Sequence, residues 1–274
     1  GIDTISAGNL IGVVIEARQR GMLGDSEIGL SPTWGDQESA VQLMEMIAGR
    51  QGIGEYIARG SRGLLAKWPE LERITVQVKG LEQSAYDSRV SLCMALAYGT
   101  CDIGAHHTRA WPISKELEMG KDWDLKEKVD LVMYHQAVRP VFDMLGVCRL
   151  PWIELSIDEH LYAEMYSAVV GIEFTLDDLL RRSKVIYDLT RAISVKLGVR
   201  RERDYPAPRT FQDPVQSGPF EGKTADPEEY EEILDMYYER RGWDRKTGIP
   251  KRETLISDGL EDVAADLEAI LDGD

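Results

Sequence analysis

Two adjacent histidines, His106 and His107, lie in the most polar stretch of the sequence, residues 100–109, which also contains Arg109. Adjacent histidines do not share a helix face and no HxxxH spacing occurs, so this stretch gives little support for a protein-only metal site. Its residues permit two interpretations. One is a capped helix end with ordinary polar side chains. The other is a general acid–base histidine with an anion contact at Arg109, since histidine titrates near neutrality and arginine binds phosphate.

A second candidate group, residues 143–148, lies where a long helix is predicted to end. Gly146 would let the chain turn there, and Cys148 could then present a thiolate to iron. Alternatively, Cys148 is a buried core residue, which is the commoner role of a single cysteine in an apolar setting. An iron–sulfur cluster needs several thiolates, and this group supplies one. The residues alone therefore leave the choice open.

The composition is that of a soluble, acidic protein. The chain has 274 residues, 43% of them hydrophobic, and a formal net charge of −16. That charge argues against a nucleic-acid partner, because phosphate binding needs clustered Lys and Arg. No apolar run approaches the ~20 residues that span a bilayer and no signal pattern begins the chain, so no membrane partner and a cytoplasmic location are expected. Its three cysteines form no CxxC pair, which fits reduced thiols.

Helical periodicity predicts a mainly α fold. Asp36 is the predicted N-cap of a helix that ends near Gly49, and Thr175 with Asp178 forms a variant of the capping box. A later helix opens at Asp226-Pro227, with proline at its first position. The predicted helices are 2–20, 37–49, 54–59, 88–98, 124–146, 158–170, 175–197, 227–241 and 258–271.

Two segments break the helical pattern. Residues 74–78, ITVQV, alternate and are β-branched, which makes them the best strand candidate. We place a domain boundary there, which divides the chain into helical regions 1–78 and 79–274. Residues 199–226 are rich in Arg, Pro and Gly, so we expect them to cross the surface in extended form. The sequence starts with Gly1 in what looks like a helix and without a methionine, so it is expected to be a piece of something longer.

Motifs distributed along the whole chain occur in the order found in one enzyme family. The opening GIDTISAGN is similar to a GLDTIS-GN segment, residues 100–109 resemble a TS-RGA-H-R loop, and residues 143–148 fit a D-x-x-G-L-C motif. Further similarity lies at Trp34-Gly35-Asp36, at Lys79-Gly80-Leu81-Glu82 with Ala85-Tyr86-Asp87 and Arg89, at Gly218-Pro219, at Tyr237-Tyr238 and at Arg241-Gly242-Trp243-Asp244. Together these motifs resemble domains 2 and 3, the C-terminal portion, of the aldehyde ferredoxin oxidoreductase family of tungsten-containing enzymes.

The resemblance implies two cofactors in the complete enzyme, a tungsten bispterin and one 4Fe–4S cluster. In the family, two D-x-x-G-L-(D/C) motifs hold the two pterins, and the last cysteine of the second motif is one of four cluster ligands. By resemblance, Asp143 and Val147 would contact pterin and Cys148 would bind the cluster. Ile2 and Asp3 would be what remains of the first motif.

The resemblance also assigns roles in the polar loop. His107 falls on the family's active-site histidine, and Arg109 falls on a basic position near the cofactor phosphate. A histidine there can move the proton released as an aldehyde becomes an acid. The sequence departs from the family pattern at Ser84 and Ser88, where prolines are usual, at Ile103, where arginine is usual, and at His106, where a small or acidic residue is usual.

The implied activity is the oxidation of an aldehyde to a carboxylic acid, with ferredoxin as the electron acceptor. The family's CxxCxxxC segment and N-terminal cofactor domain have no counterpart here. We therefore expect this fragment alone to be inactive, to bind neither cofactor, to need the missing domain or subunit as a partner, and to dimerise through an exposed apolar surface. The rival hypotheses are a non-enzymatic helical subunit or scaffold module from a split gene, and a relative that acts on another substrate such as an aromatic thioester. The sequence does not distinguish a tungsten enzyme from a molybdenum enzyme.

Overall fold

α-Helices make up most of the structure, as predicted. The computed structural model describes residues 1–120 and 123–271. Within them the helices are α1 (Thr4–Gln19), α2 (Asp25–Ile28), α3 (Gln37–Gly49), α4 (Gly54–Ile57), α5 (Gly60–Lys67), α6 (Leu92–Gly99), α7 (Ile113–Met119), α8 (Leu125–Leu145), α9 (Leu150–Leu155), α10 (Glu159–Val170), α11 (Leu176–Lys196), α12 (Arg209–Gln212), α13 (Pro227–Arg241), α14 (Arg252–Ser257) and α15 (Glu261–Leu271). Short 3-10 helices cover Pro69–Arg73 and Arg201–Arg203. None of the described helices combines the length and apolar character needed to cross a membrane.

The chain forms two compact units. The first contains Gly1–His107 and Asp204–Pro227, and the second contains Thr108–Arg203 and the residues from Glu228 onward. The polypeptide therefore leaves the first unit and later returns to it. The predicted boundary between residues 78 and 79 concerned the family's domains; it lies inside the first unit and stays a prediction.

Helix α1 carries much of the apolar core of the first unit. Its N-cap, Asp3, accepts a hydrogen bond from the Ser6 N–H at 2.7 Å, which satisfies one of the donors that a helix start leaves open. The buried side chains of Leu10 and Val14 belong to one apolar cluster with residues of α3, α4 and α5. The prediction of Asp36 as the N-cap of α3 is also confirmed, because its carboxylate accepts hydrogen bonds from two N–H groups of the first turn.

The strand predicted at 74–78 is much shorter than expected. Only Gln77–Val78 is a strand, β1, and it pairs antiparallel with β2, Leu81–Glu82. Lys79 and Gly80 connect the two strands with φ angles of 54° and 83°, as in the tight turns that join hairpin strands. Ile74 instead caps the preceding 3-10 helix, because proline at position 69 favours a helical start.

The second unit is built around its two longest helices, α8 and α11, which pack against each other. Both begin with a capping box, made by Asp124 and Glu127 in α8 and by Thr175 and Asp178 in α11. Helices α10 and α15 also pack on α11. Trp243 is fully buried, and its indole N–H donates to a carboxylate of α11 at 2.8 Å.

Two predicted segments need correction. The helix predicted at 88–98 begins only at Leu92, because the Ser91 hydroxyl caps it by accepting from Met94 N–H at 3.0 Å. Residues 199–226 are not uniformly extended, since they include a 3-10 helix and α12. Nor do they lie wholly on the surface, because Asp204 and Thr210 are buried. Polar contacts within the first unit hold them there.

Candidate functional site

A buried lysine fixes the start of the loop that carries the two histidines. Helix α6 ends at Gly99, and residues 100–107 follow it. The Lys79 ammonium forms an ion pair with Asp204 at 2.8 Å, with side chains that are 7% and 0% exposed. It also donates to the carbonyl oxygens of Gly99 and, at 3.0 Å, of Cys101. The loop therefore starts at carbonyl groups that are held by a buried, neutralised cation.

His107 lies at the end of this loop and is anchored through one ring nitrogen. Its Nδ1 is 2.9 Å from Ser84 Oγ, which is 2.8 Å from the Tyr98 hydroxyl. Ser84 and Tyr98 are buried, whereas His107 is half-buried. The rings of Tyr86 and His106 lie 5.4 and 5.5 Å from the His107 ring, measured between centroids. Burial raises the pKa of Tyr98, so this phenol keeps its proton and can serve the chain of hydrogen bonds as a donor.

Ile2 and Asp3 lie at the entrance to α1 and line a groove of about 380 Å³ within the first unit. Both residues are exposed, Ile2 with 40% of its surface accessible. One Asp3 oxygen caps α1. Arg50 also lines the groove, so it combines a carboxylate, a cation and an apolar side chain.

In the second unit, Arg109 and Asp143 form an ion pair. Arg109 Nη1 donates to Asp143 Oδ2 at 2.6 Å, and the two side chains are 24% and 58% exposed. Asp143 belongs to the last turn of α8. The structure thus brings together two residues to which the family resemblance gives separate roles, at pterin and at phosphate. The exposed part of the carboxylate can still accept hydrogen bonds from a ligand.

The end of α8 presents Val147 and Cys148 to the outside of the second unit. Gly146 adopts a φ of 67°, a left-handed conformation that is unfavourable for residues other than glycine. Its N–H donates to the Asp143 carbonyl at 3.2 Å, and the Val147 N–H donates to the Phe142 carbonyl at 3.0 Å. These two bonds form a Schellman motif, the common glycine-dependent helix stop. Val147 is 37% exposed and Cys148 is exposed as well.

Cys148 differs from the other two cysteines in accessibility. Cys93 and Cys101 are buried, whereas Cys148 is exposed. Burial, reinforced by the charge of Asp102, raises the pKa of Cys101 to about 12, which makes its thiolate hard to form. Across the described parts of the chain, no group of three or more His, Cys, Asp and Glu side chains could hold a metal ion. Cys148 is therefore the cysteine that is accessible on the surface of the second unit.

The residues that support the predicted ones do not stand out in the sequence. Lys79, Asp204, Ser84 and Tyr98 hold the histidine loop, and none of them was singled out for that role. The departure from proline at Ser84 was the available signal, because a hydroxyl there adds a hydrogen-bonding group that proline lacks. His107 ends the first segment of the first unit, whereas Arg109 belongs to the second unit.

A family model for aldehyde ferredoxin oxidoreductase, domains 2 and 3, matches residues 1–260. The chain belongs to the aldehyde ferredoxin oxidoreductase family. The tungsten-containing aldehyde ferredoxin oxidoreductase of Pyrococcus furiosus is 30% identical over 262 residues, which are 92% of this chain and 42% of the relative. A protein of the same name from Pyrococcus horikoshii is 30% identical over 273 residues, with coverage of 96% and 44%. The chain therefore spans less than half the length of these relatives.

Two further proteins that are similar to this chain carry different names. The aliphatic sulfonate oxidoreductase WOR-like subunit of Pyrococcus furiosus is 27% identical over 287 residues, covering 98% of this chain and 42% of the relative. The active site complex BamBC of benzoyl coenzyme A reductase, solved with 1,5-dienoyl-CoA, superposes with a TM-score of 0.73 at 23% identity. That alignment covers 97% of this chain and 45% of the solved one. The family and the helical fold expected from the motifs are confirmed.

Proposed function

We propose that this chain is the C-terminal part of a tungstopterin oxidoreductase that oxidises an aldehyde to a carboxylic acid and passes the electrons to ferredoxin. The family match over residues 1–260 carries the proposal, supported by relatives at 30% identity that are named for this activity. Conversion of an aldehyde and water to a carboxylic acid releases two electrons and two protons. The enzyme therefore needs groups that transfer protons as well as groups that transfer electrons.

The exposed polar residues fit a role in holding pterin. Asp143 would accept hydrogen bonds from pterin N–H groups with the part of its carboxylate that its ion pair leaves exposed. Arg109, its partner, would add positive charge for a phosphate. Ile2 and Asp3 would contribute the surface of the groove in the first unit, and Val147 would offer an apolar contact. When bound, the metal–pterin group would supply the two-electron redox chemistry, as cofactors do in such enzymes.

Cys148 would contribute one thiolate to a 4Fe–4S cluster. Its exposure beside a glycine-made helix stop leaves the sulfur accessible, and the two buried cysteines lack that property. A cluster of this kind requires about four protein ligands, and the described residues offer no group that could complete it. We therefore expect the 274-residue chain alone to bind neither cofactor and the complete enzyme to bind both.

His107 would act as the proton-transferring residue. It is half-buried, and its Nδ1 lies 2.9 Å from Ser84 Oγ, so Nε2 would be the ring nitrogen that exchanges a proton with a substrate. A positioned histidine of this kind contributes roughly 10²–10⁴-fold to turnover. His106 stacks on it but departs from the family pattern, so we assign it no catalytic role.

The substrate could instead belong to another class. The relative named as an aliphatic sulfonate oxidoreductase, WOR-like subunit, is 27% identical over 98% of this chain, nearly as similar as the aldehyde enzymes. This observation favours a second candidate, a sulfonate-oxidising member. A non-enzymatic helical subunit is the third hypothesis, and it predicts no turnover of any substrate by the complete protein.

Substitution of the two histidines tests the proposed function. In the complete enzyme, His107→Asn should lower kcat for aldehyde-dependent viologen reduction by roughly 10²–10⁴-fold with unchanged tungsten and iron. His106→Asn is the matched control, because it lies next to His107 in the same loop, and it should stay close to the unmodified enzyme.

The opposite pattern would mean that the assignment within residues 106–107 is wrong by one position. Loss of metal in His107→Asn would make its role structural. Oxidation of an aliphatic sulfonate without any oxidation of aldehydes would replace the first substrate class by the second, and absence of every activity would favour the non-enzymatic subunit.

A further inference from the structure

Three hydrogen-bond contacts link His107 to the interior of the first unit. They join His107 Nδ1 to Ser84 Oγ at 2.9 Å, Ser84 Oγ to the Tyr98 hydroxyl at 2.8 Å, and the Tyr98 hydroxyl to the Ser84 carbonyl oxygen at 3.2 Å. Ser84 follows β2 and Tyr98 lies in α6, so the two residues that support His107 come from separate parts of the first unit. Both side chains are buried, with Ser84 6% and Tyr98 0% exposed.

The last acceptor determines the direction of the chain. A backbone carbonyl can accept hydrogen bonds but cannot donate one, so at the 3.2 Å contact the proton must come from Tyr98. With its only proton used there, the Tyr98 oxygen must accept from the Ser84 hydroxyl. The Ser84 oxygen, having given its own proton to Tyr98, must then accept from His107 Nδ1–H. Only this arrangement makes all three hydrogen bonds at once.

The reverse direction satisfies fewer groups. If Tyr98 donated to Ser84 Oγ and Ser84 donated to His107 Nδ1, the 3.2 Å contact from Tyr98 to the carbonyl would not form. Each hydrogen bond made in a buried setting adds net stability, so the three-bond arrangement is favoured.

We propose that Ser84 and Tyr98 are positioning residues that hold neutral His107 in the tautomer with its proton on Nδ1, leaving Nε2 as the proton acceptor. This inference deepens the proposed function and rests on it for its catalytic meaning. Protonation at Nε2 would then require no change in the direction of the three hydrogen bonds. The ring could accept and return a proton without losing its anchor, which is the property expected of a preorganised general base.

The histidine tautomer can be measured directly. The chain has four histidines, so two-bond ¹⁵N–¹H correlation spectra of the ¹⁵N-histidine-labelled protein, taken above the titration range of the rings, contain four ring patterns. The His107 pattern is assigned by its loss in His107→Gln. The titratable rings next to His107 are those of Tyr86 and His106, so spectra of His106→Gln show whether a second imidazole alters the result. We expect a protonated Nδ1 and an unprotonated Nε2 in His107.

Removal of single hydroxyl groups tests the direction of the chain. In Tyr98→Phe the Ser84 hydroxyl loses its acceptor, so its proton should turn to His107 Nδ1 and shift the ring to the Nε2–H tautomer. Ser84→Ala should also lose the Nδ1–H pattern, and Ser84→Thr should restore it because threonine keeps the hydroxyl. Ser88→Ala is the matched control: Ser88 is also a buried serine in the same segment, but it bonds Thr210 at 2.9 Å. It should leave His107 unchanged.

An Nε2–H tautomer in the unmodified protein would overturn the inference, as would an Nδ1–H pattern that persists in Tyr98→Phe. The first of these outcomes needs only the assignment variant His107→Gln, so it does not depend on whether the Ser84 and Tyr98 variants fold. The result is independent of the proposed function, because tautomers are read without turnover. The expected tautomer together with an active His107→Asn enzyme would keep the hydrogen-bond chain and reject the catalytic role.

Discussion

At the scale of single residues, His135 shows how burial changes the chemistry of an imidazole in the second unit. Its ring packs edge-on against Trp152 with centroids 5.8 Å apart, and its Nδ1 accepts a weak hydrogen bond from the Trp111 N–H at 3.5 Å. Burial, reinforced by the charge of Arg139, lowers the pKa of His135 to about 3. An unfolded histidine has a pKa of about 6.5, so between these values only the unfolded state takes up a proton.

The free energy of unfolding should therefore decrease as the pH falls from about 6.5 to about 3, because over that range the unfolded chain binds one more proton at this residue. His135→Gln should flatten that part of the curve, measured by urea unfolding at a series of pH values. His160→Gln is the control, since His160 is exposed at the start of α10, and it should keep the slope of the unmodified protein. A slope in His135→Gln equal to that of the unmodified protein would contradict the prediction.

The sequence revealed the residue types of the candidate site better than their partners. His107 and Cys148 stand out because histidine and cysteine are few and lie in recognisable motifs. The contacts of Ser84 with Tyr98 and His107 join residues 14 and 23 positions apart, and they form only because the β hairpin and α6 meet. Periodicity describes local structure and carries no information about such long-range contacts.

At the scale of elements, glycine has opposite effects at the end and in the middle of a helix. Gly146 has a φ of 67° at the end of α8, whereas Gly8 lies inside α1 with helical backbone. An added Cβ would meet no atom within 4 Å at either position, so packing does not distinguish them. Any difference between their alanine variants must therefore come from the backbone conformation.

We expect Gly146→Ala to lower the free energy of unfolding by about 1–2 kcal/mol, the usual cost of a left-handed conformation for a residue with a Cβ. Gly8→Ala should instead raise it by about 0.5–1 kcal/mol, because glycine is unfavourable inside a helix. Chemical denaturation of both variants measures the two changes. Two changes of the same sign would refute this account of the α8 terminus.

Elements with strong boundary signals were predicted well. The N-caps Asp36 and Thr175 and the proline at position 227 were recognised because their side chains act on neighbouring backbone groups. The short helices α2, α5, α7, α9, α12 and α14 were missed, since four to eight residues are too few for a clear periodic pattern. The strand prediction at 74–78 was too long for a different reason. It gave more weight to the β-branched composition than to Pro69, which starts the 3-10 helix that Ile74 caps.

At the scale of the whole molecule, the first unit is assembled from two distant parts of the sequence. The buried ion pair of Lys79 with Asp204 joins them at 2.8 Å. Composition alone suggested a surface segment for residues 199–226, because arginine and proline are commonly exposed. The segment returns to the first unit instead, where Arg209 Nη1 also donates to Glu16 at 2.9 Å.

Loss of this buried lysine should destabilise the first unit strongly. Lys79→Met leaves the buried Asp204 carboxylate without its counterion, which typically costs about 3–5 kcal/mol. The control is Lys196→Met, which removes a pair with Asp266 whose side chains are 53% and 66% exposed, and it should cost less than about 1 kcal/mol. Urea unfolding compares the two variants. The double variant Lys79→Met/Asp204→Leu should recover part of the lost free energy of unfolding. Equal losses in Lys79→Met and Lys196→Met would show that the buried ion pair stabilises the protein no more than the exposed one.

The claim that this chain forms part of a tungstopterin and iron–sulfur enzyme is tested most directly by metal analysis of the complete gene product. We predict tungsten and about four irons per polypeptide, and a marked loss of iron in Cys148→Ser but not in the control Cys101→Ser, whose thiol is buried. Absence of both metals from the complete protein, or unchanged iron in Cys148→Ser, would contradict the account.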